Sequence, residues 1–92
     1  MFCALNIILV FMSLLSEIPI VELNDQLIKL GLKVRELRLS KSLSQTDLAF
    51  KIGKDQPSIN RLEKGKINPS ILYLLEIANG LEIPVSKLLE EF

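Results

Sequence analysis

Apolar residues return at three- and four-residue steps along most of this chain, and turn-forming residues cut that rhythm into five helical segments. Leu27, Leu30, Val34 and Leu37 make the first stripe. Asn24 or Asp25 can cap its start, so a helix is predicted over about 26–40. Gly31 lies inside that helix at a cost of about 1 kcal/mol relative to alanine. Ser44 with Asp47 three residues on resembles a capping box and starts a second helix at Gln45. Leu48, Ala49 and Ile52 share one of its faces, and Ala49 is small where a crossing helix must come close. Gly53 then stops it.

After a turn of Lys54 alone, Asp55 can cap a third helix, over 55–64, with Pro57 in the first turn where a missing N–H is harmless. Ile59 and Leu62 turn inward, and Gln56, Pro57, Ser58, Asn60, Arg61 and Lys64 occupy the other face. A fourth helix is predicted over 70–79, closed by Gly80. Leu81 and Ile83 fill the corner, Pro84 begins a short last helix through Leu89, and Glu90 and Glu91 face water. Two short helices joined by a tight turn, the second opening on small polar side chains and ending in basic ones, have the build of a helix-turn-helix reader of DNA.

Charge sharpens that implication. The chain is formally neutral, but residues 26–68 carry ten Lys and Arg against four acids, a net of +6, while the segments on either side carry −3 each. Positive charge is thus concentrated on the second and third helices and their flanks, the asymmetry expected where one face meets phosphate. The single cysteine, Cys3, allows no internal disulfide, and the absence of histidine argues against a metal site or a His-based catalytic pair. No nucleophile and base pair is apparent, so a cytoplasmic binding protein without a cofactor fits better than an enzyme.

The motifs Leu43-Ser44-Gln45, Leu48-Ala49, Ile52-Gly53, Ile59, Leu62-Glu63, Gly65 and Asn68-Pro69-Ser70 together resemble the lambda-repressor/Cro-type family, also called the xenobiotic-response-element family, over about residues 30–89. The resemblance implies an all-α, compact five-helix domain and a transcriptional regulator, in the first instance a repressor acting by occlusion. It also implies an ion pair between Arg38 and Glu63 that orients Arg38 at the operator backbone, and a Gln45 that braces Gln56 and holds phosphate. The chain departs from the pattern in two places. Pro57 stands where relatives often carry a polar base reader, and Leu72 and Tyr73 stand where they generally carry polar residues. The second departure suggests an exposed apolar patch that meets a second copy or is covered by the N-terminal extension.

If the third helix enters the major groove by its first turn, Gln56, Pro57, Ser58, Asn60 and Arg61 reach base edges. Gln56 is matched to adenine and Arg61 to guanine, and Pro57 offers only apolar contact. Arg38, Ser44, Gln45, Lys54, Lys64, Lys66 and Asn68 are the phosphate candidates, with backbone N–H groups of the 64–70 loop beside them. One such module covers few base pairs, so a homodimer on a palindromic double-stranded site is expected. The competing reading is a protein-interaction module on the same fold, such as the antitoxin half of a pair whose partner is a toxin.

Residues 1–23 stand apart from the helix-turn-helix domain over 24–92. Thirteen of the first sixteen are apolar and none is charged, and neither a basic start nor a small-residue cleavage site marks a secretory signal. Three readings remain open: a segment preceding an internal start near Met12 or Val21, an extra hydrophobic helix, or a membrane tether. The run is short for a span, and no basic residue flanks it before Lys29.

Overall fold

A computed structural model of the chain describes residues 20–90, with side chains from Asn24 onward. Residues 1–19 of the apolar extension, and Glu91 and Phe92, lie outside the described residues. Five α-helices and no strand occur among the described residues: α1 Ile20–Ser40, α2 Gln45–Ile52, α3 Gln56–Glu63, α4 Ile71–Leu81 and α5 Val85–Leu89. Helix α1 packs against α3 and α5, α2 crosses α3 and rests on α4, and α4 holds α5.

The caps that punctuate α2 and α3 are those the local sequence dictates. Ser44 Oγ accepts the Asp47 N–H at 2.9 Å, and the Asp47 carboxylate accepts the Ser44 N–H at 2.9 Å. Gly53 ends α2 in the left-handed region at φ 69°, Asp55 accepts the Ser58 N–H at 2.9 Å, and Pro57 sits in the first turn of α3. Two of the hydrogen-bonded carboxyls are held below the usual carboxylate range. The Ser44 backbone N–H, then its hydroxyl, does this for Asp47, and the Ser58 hydroxyl, then its N–H, for Asp55.

Two boundaries differ from the pattern in the sequence. Helix α1 begins at Ile20 rather than near Gln26, so Asn24 and Asp25 lie within it, exposed, instead of capping it. Nothing between Pro19 and Asn24 breaks a helix, and a solvent-facing Asn or Asp is tolerated there. Helix α4 runs through Gly80 to Leu81 and is closed by Glu82 in the left-handed region at φ 59°. Gly80 is buried, and a Cβ there would come within 2.5 Å of Ile52 Cγ2, so its role is the close approach of α2 to α4 rather than a stop.

The core is contributed by every helix: Leu30, Val34 and Leu37 from α1, Leu48 and Ala49 from α2, Ile59 and Leu62 from α3, Leu74, Ile77, Ala78 and Leu81 from α4, and Leu88 from α5. In α1, α2 and α3 these are stripe positions of the sequence pattern, of which Leu27 and Ile52 are only half-buried. Gly31 is buried at the crossing of α1 with the end of α3, where an added Cβ would lie 2.5 Å from the carbonyl oxygens of both Leu62 and Glu63. The helix propensity surrendered at Gly31 is what lets α1 back α3 this closely.

Candidate nucleic-acid interface

With Ile59 and Leu62 buried, α3 turns the rest of its surface outward at the end of the domain that α2 also frames. Pro57 and Arg61 are exposed, and Gln56, Ser58 and Asn60 are half-buried. Arg61 Nη2 lies 3.3 Å from Ser58 Oγ, to which it donates, so these two side chains share one flank of α3. Ser44, Lys54, Lys64, Lys66 and Asn68 are exposed around the same pair of helices. The Lys54 ammonium lies 3.4 Å from the Glu76 carboxylate and 5.3 Å from the centre of the Tyr73 ring, an existing tie on that candidate.

The backbone N–H groups of Lys64, Gly65 and Lys66 are already spent on the α3 carbonyls of Asn60, Leu62 and Arg61, at 3.0–3.1 Å. These three N–H groups close the helix, which leaves those of Ile67, Asn68 and Ser70 and the side chains of the loop as its phosphate candidates.

Beneath α3 lies a buried polar string. Arg38 is 6% exposed and Glu63 5%. Arg38 Nε donates to Glu63 Oε2 at 2.7 Å, Nη2 donates to Oε1 at 3.0 Å, and Nη1 donates to the Leu43 carbonyl at 2.7 Å. The bidentate pair expected between Arg38 and Glu63 is thus present, and a planar guanidinium suits it. Each of the three Arg38 nitrogens makes one of these bonds and the side chain is buried, so Arg38 is an internal strut beneath α3.

Gln45 continues the string toward the surface. Its Nε2 donates to Glu63 Oε1 at 3.1 Å, and its Oε1 accepts from Gln56 Nε2 at 2.7 Å and from Asn60 Nδ2 at 3.3 Å. The contact between Gln45 and Gln56 accords with the family resemblance. Those of Gln45 with Glu63 and Asn60 were not foreseen. Their one signal in the sequence is that Gln56, Asn60 and Glu63 stand at i, i+4 and i+7, a single stripe down one side of α3.

The apolar patch on α4 differs from expectation. Leu72 is 65% exposed, but Tyr73 is half-buried against the core, and its hydroxyl is the buried side-chain polar atom without a partner among the described residues. Burial pushes the Tyr73 phenol above its ordinary pKa, with the Asp55 charge adding to the effect. The open apolar surface is formed instead by Ile71, Leu72 and Leu75, with Ile71 71% and Leu75 46% exposed. Among the described residues, no helix is long and apolar enough to cross a membrane.

A helix-turn-helix family model matches residues 34–88. A control protein, C.MunI, of a Mycoplasma species is 37% identical over 70 residues, which span 75% of this chain and 95% of that protein. The restriction-modification controller protein C.AhdI of Aeromonas hydrophila superposes with a TM-score of 0.69 at 38% identity, covering 71% of this chain and 94% of its own. A second controller, C.Esp1396I, solved as a tetramer on its natural 35 base-pair operator, superposes with a TM-score of 0.65 at 32% identity, covering 71% of this chain and 86% of its own. By motif, helix order and these likenesses, the chain belongs to the lambda-repressor/Cro-type, or xenobiotic-response-element, family of helix-turn-helix proteins.

Proposed function

We propose that this chain is a sequence-specific double-stranded DNA-binding transcriptional regulator of the restriction-modification controller type, a cytoplasmic binding protein and not an enzyme. Helix α3 enters the major groove by its first turn. Gln56, Ser58, Asn60 and Arg61 address base edges, Pro57 makes apolar contact, and Ser44, Lys54, Lys64, Lys66 and Asn68, with Gln45 through its backbone N–H at the start of α2, address the flanking phosphates. Two copies meet through Ile71, Leu72 and Leu75 to read a palindrome, and occupancy of the operator represses by occlusion.

The observation that carries this reading is the surface of α3. Its apolar side is fully committed to the core, while Arg61 and the amides of Gln56 and Asn60 remain at or near the surface beside a run of exposed lysines. The antitoxin reading has no comparable support, because the similar proteins described above are a control protein and two restriction-modification controllers. The test is selection of bound DNA from a random pool, followed by gel shifts with the selected site. Arg61→Ala is expected to lose about 1–3 kcal/mol of discrimination at one guanine. Equal affinity and selectivity of wild type and Arg61→Ala would remove Arg61 as a base reader.

A further inference from the structure

We infer that Glu63, although buried and out of reach of DNA, sets the donor and acceptor sense of the amides on α3 and thereby the base that Gln56 accepts. This rests on the reading of α3 as the groove-facing helix. An ionised carboxylate only accepts hydrogen bonds, so an amide held 3.1 Å from Glu63 Oε1 must present its nitrogen. Gln45 is therefore fixed with Nε2 inward and Oε1 outward. That oxygen can only accept, so Gln56 and Asn60, at 2.7 and 3.3 Å, must each turn an N–H toward it. Flipping Gln45 would set its oxygen against the carboxylate and its nitrogen against two nitrogens, so the orientations change together or not at all.

What remains on Gln56 after this is one N–H and its carbonyl oxygen. Adenine presents one acceptor, N7, and one donor, N6–H, in the major groove, which that remainder matches. Guanine presents two acceptors, N7 and O6, and needs two donors. A glutamine free to rotate can turn both N–H groups toward guanine, but one of them is occupied here by Gln45. Glu63 is a positioning residue in this scheme, and the Arg38 guanidinium holds its carboxylate in place. Neither need touch the nucleic acid.

The test uses the site selected by the wild-type chain and the same site with single adenine-to-guanine changes. Gln56→Ala locates the step, as the position whose adenine preference it abolishes. Two further variants cut the string. Gln45→Met leaves the ion pair intact, and the double variant Arg38→Met, Glu63→Gln removes both charges together, so that no buried charge is stranded. Thermal melts followed by circular dichroism establish that each is folded.

Wild type is expected to prefer adenine by about tenfold or more at this step, the range of a good bidentate contact. Both variants should fall below about threefold there while keeping their preferences at other positions. Loss of a phosphate contact alone weakens all sequences alike and leaves this ratio untouched. Retention of the wild-type ratio by either folded variant, with Gln56→Ala having lost it, overturns the role of Glu63 while base reading by α3 stands. If Gln56→Ala changes no ratio, base reading at Gln56 fails and the role of Glu63 falls with it.

Discussion

Replacing Gly31 with alanine sets two physical effects against each other with opposite signs. Within an isolated helix the substitution favours folding by roughly 1 kcal/mol, since alanine is the better helix former and restricts the unfolded chain. In this fold the new Cβ would lie 2.5 Å from the carbonyl oxygens of Leu62 and Glu63 and 2.7 Å from the Glu63 carbonyl carbon. Comfortable carbon to oxygen contacts begin at about 3.3 Å, so α1 and the end of α3 must part by roughly 0.8 Å. Both obstacles are backbone and cannot rotate away. Overpacking of this kind costs about 1–3 kcal/mol, which leaves a net loss of up to about 2 kcal/mol after the propensity gain.

Urea denaturation followed by helical circular dichroism measures it, with a fall of several degrees in Tm as the companion reading. Gly80→Ala serves as the control. Its nearest obstacles are side-chain methyls, Ile52 Cγ2 at 2.5 Å and Leu48 Cδ1 at 3.1 Å, so it should lose less. A Gly31→Ala protein more stable than wild type would refute the idea that close approach, and not flexibility, explains this glycine.

Acid should weaken the two caps. Asp47 and Asp55 both have folded pKa values below the ordinary one, so their contribution is fully present above the usual carboxylate pKa of about 3.9 and is lost as the pH falls through the lower folded values. The gap in urea midpoint between wild type and Asp55→Ala or Asp47→Ala should close over that range, and a gap unchanged down to the most acid conditions would show that charge is irrelevant to the caps. At the α4 patch, Leu72→Asp is expected to sediment as a monomer at concentrations where wild type is a dimer, with unchanged helicity and at least about tenfold weaker binding to a palindrome. A dimer that survives both Leu72→Asp and Leu75→Asp lies on another surface.

Much of α2 and α3 was legible because their boundaries are written within three or four residues. Ser44 with Asp47, Gly53, and Asp55 with Pro57 each satisfy backbone groups next to them, and no distant contact is needed to place them. The role of Gly80 was not legible, since it depends on what the helix meets in space, and the start of α1 was not, since Asn24 and Asp25 read as well as caps as they do as exposed positions within a helix. Tyr73 was misplaced for a related reason. Helix α4 is apolar at nearly every position from Ile71 to Ala78, so periodicity alone could not tell that Tyr73 turns toward the core while Ile71, Leu72 and Leu75 face outward. At the site, the exposed flank of α3 followed from its inner residues, but the link from Gln45 to Glu63 joins residues eighteen apart in sequence and needed the crossing of α2 and α3 to appear.

The Gln45 oxygen beneath Gln56 and Asn60 has a bearing on any attempt to redirect this chain to a new site. A lysine or arginine introduced at 56 brings a donor that this oxygen will compete for, and a glutamate there would set one acceptor against another. Swapping the outermost letter is then not an independent edit. Retargeting has to begin one layer down, by choosing at 45 a side chain whose polarity suits the new reader.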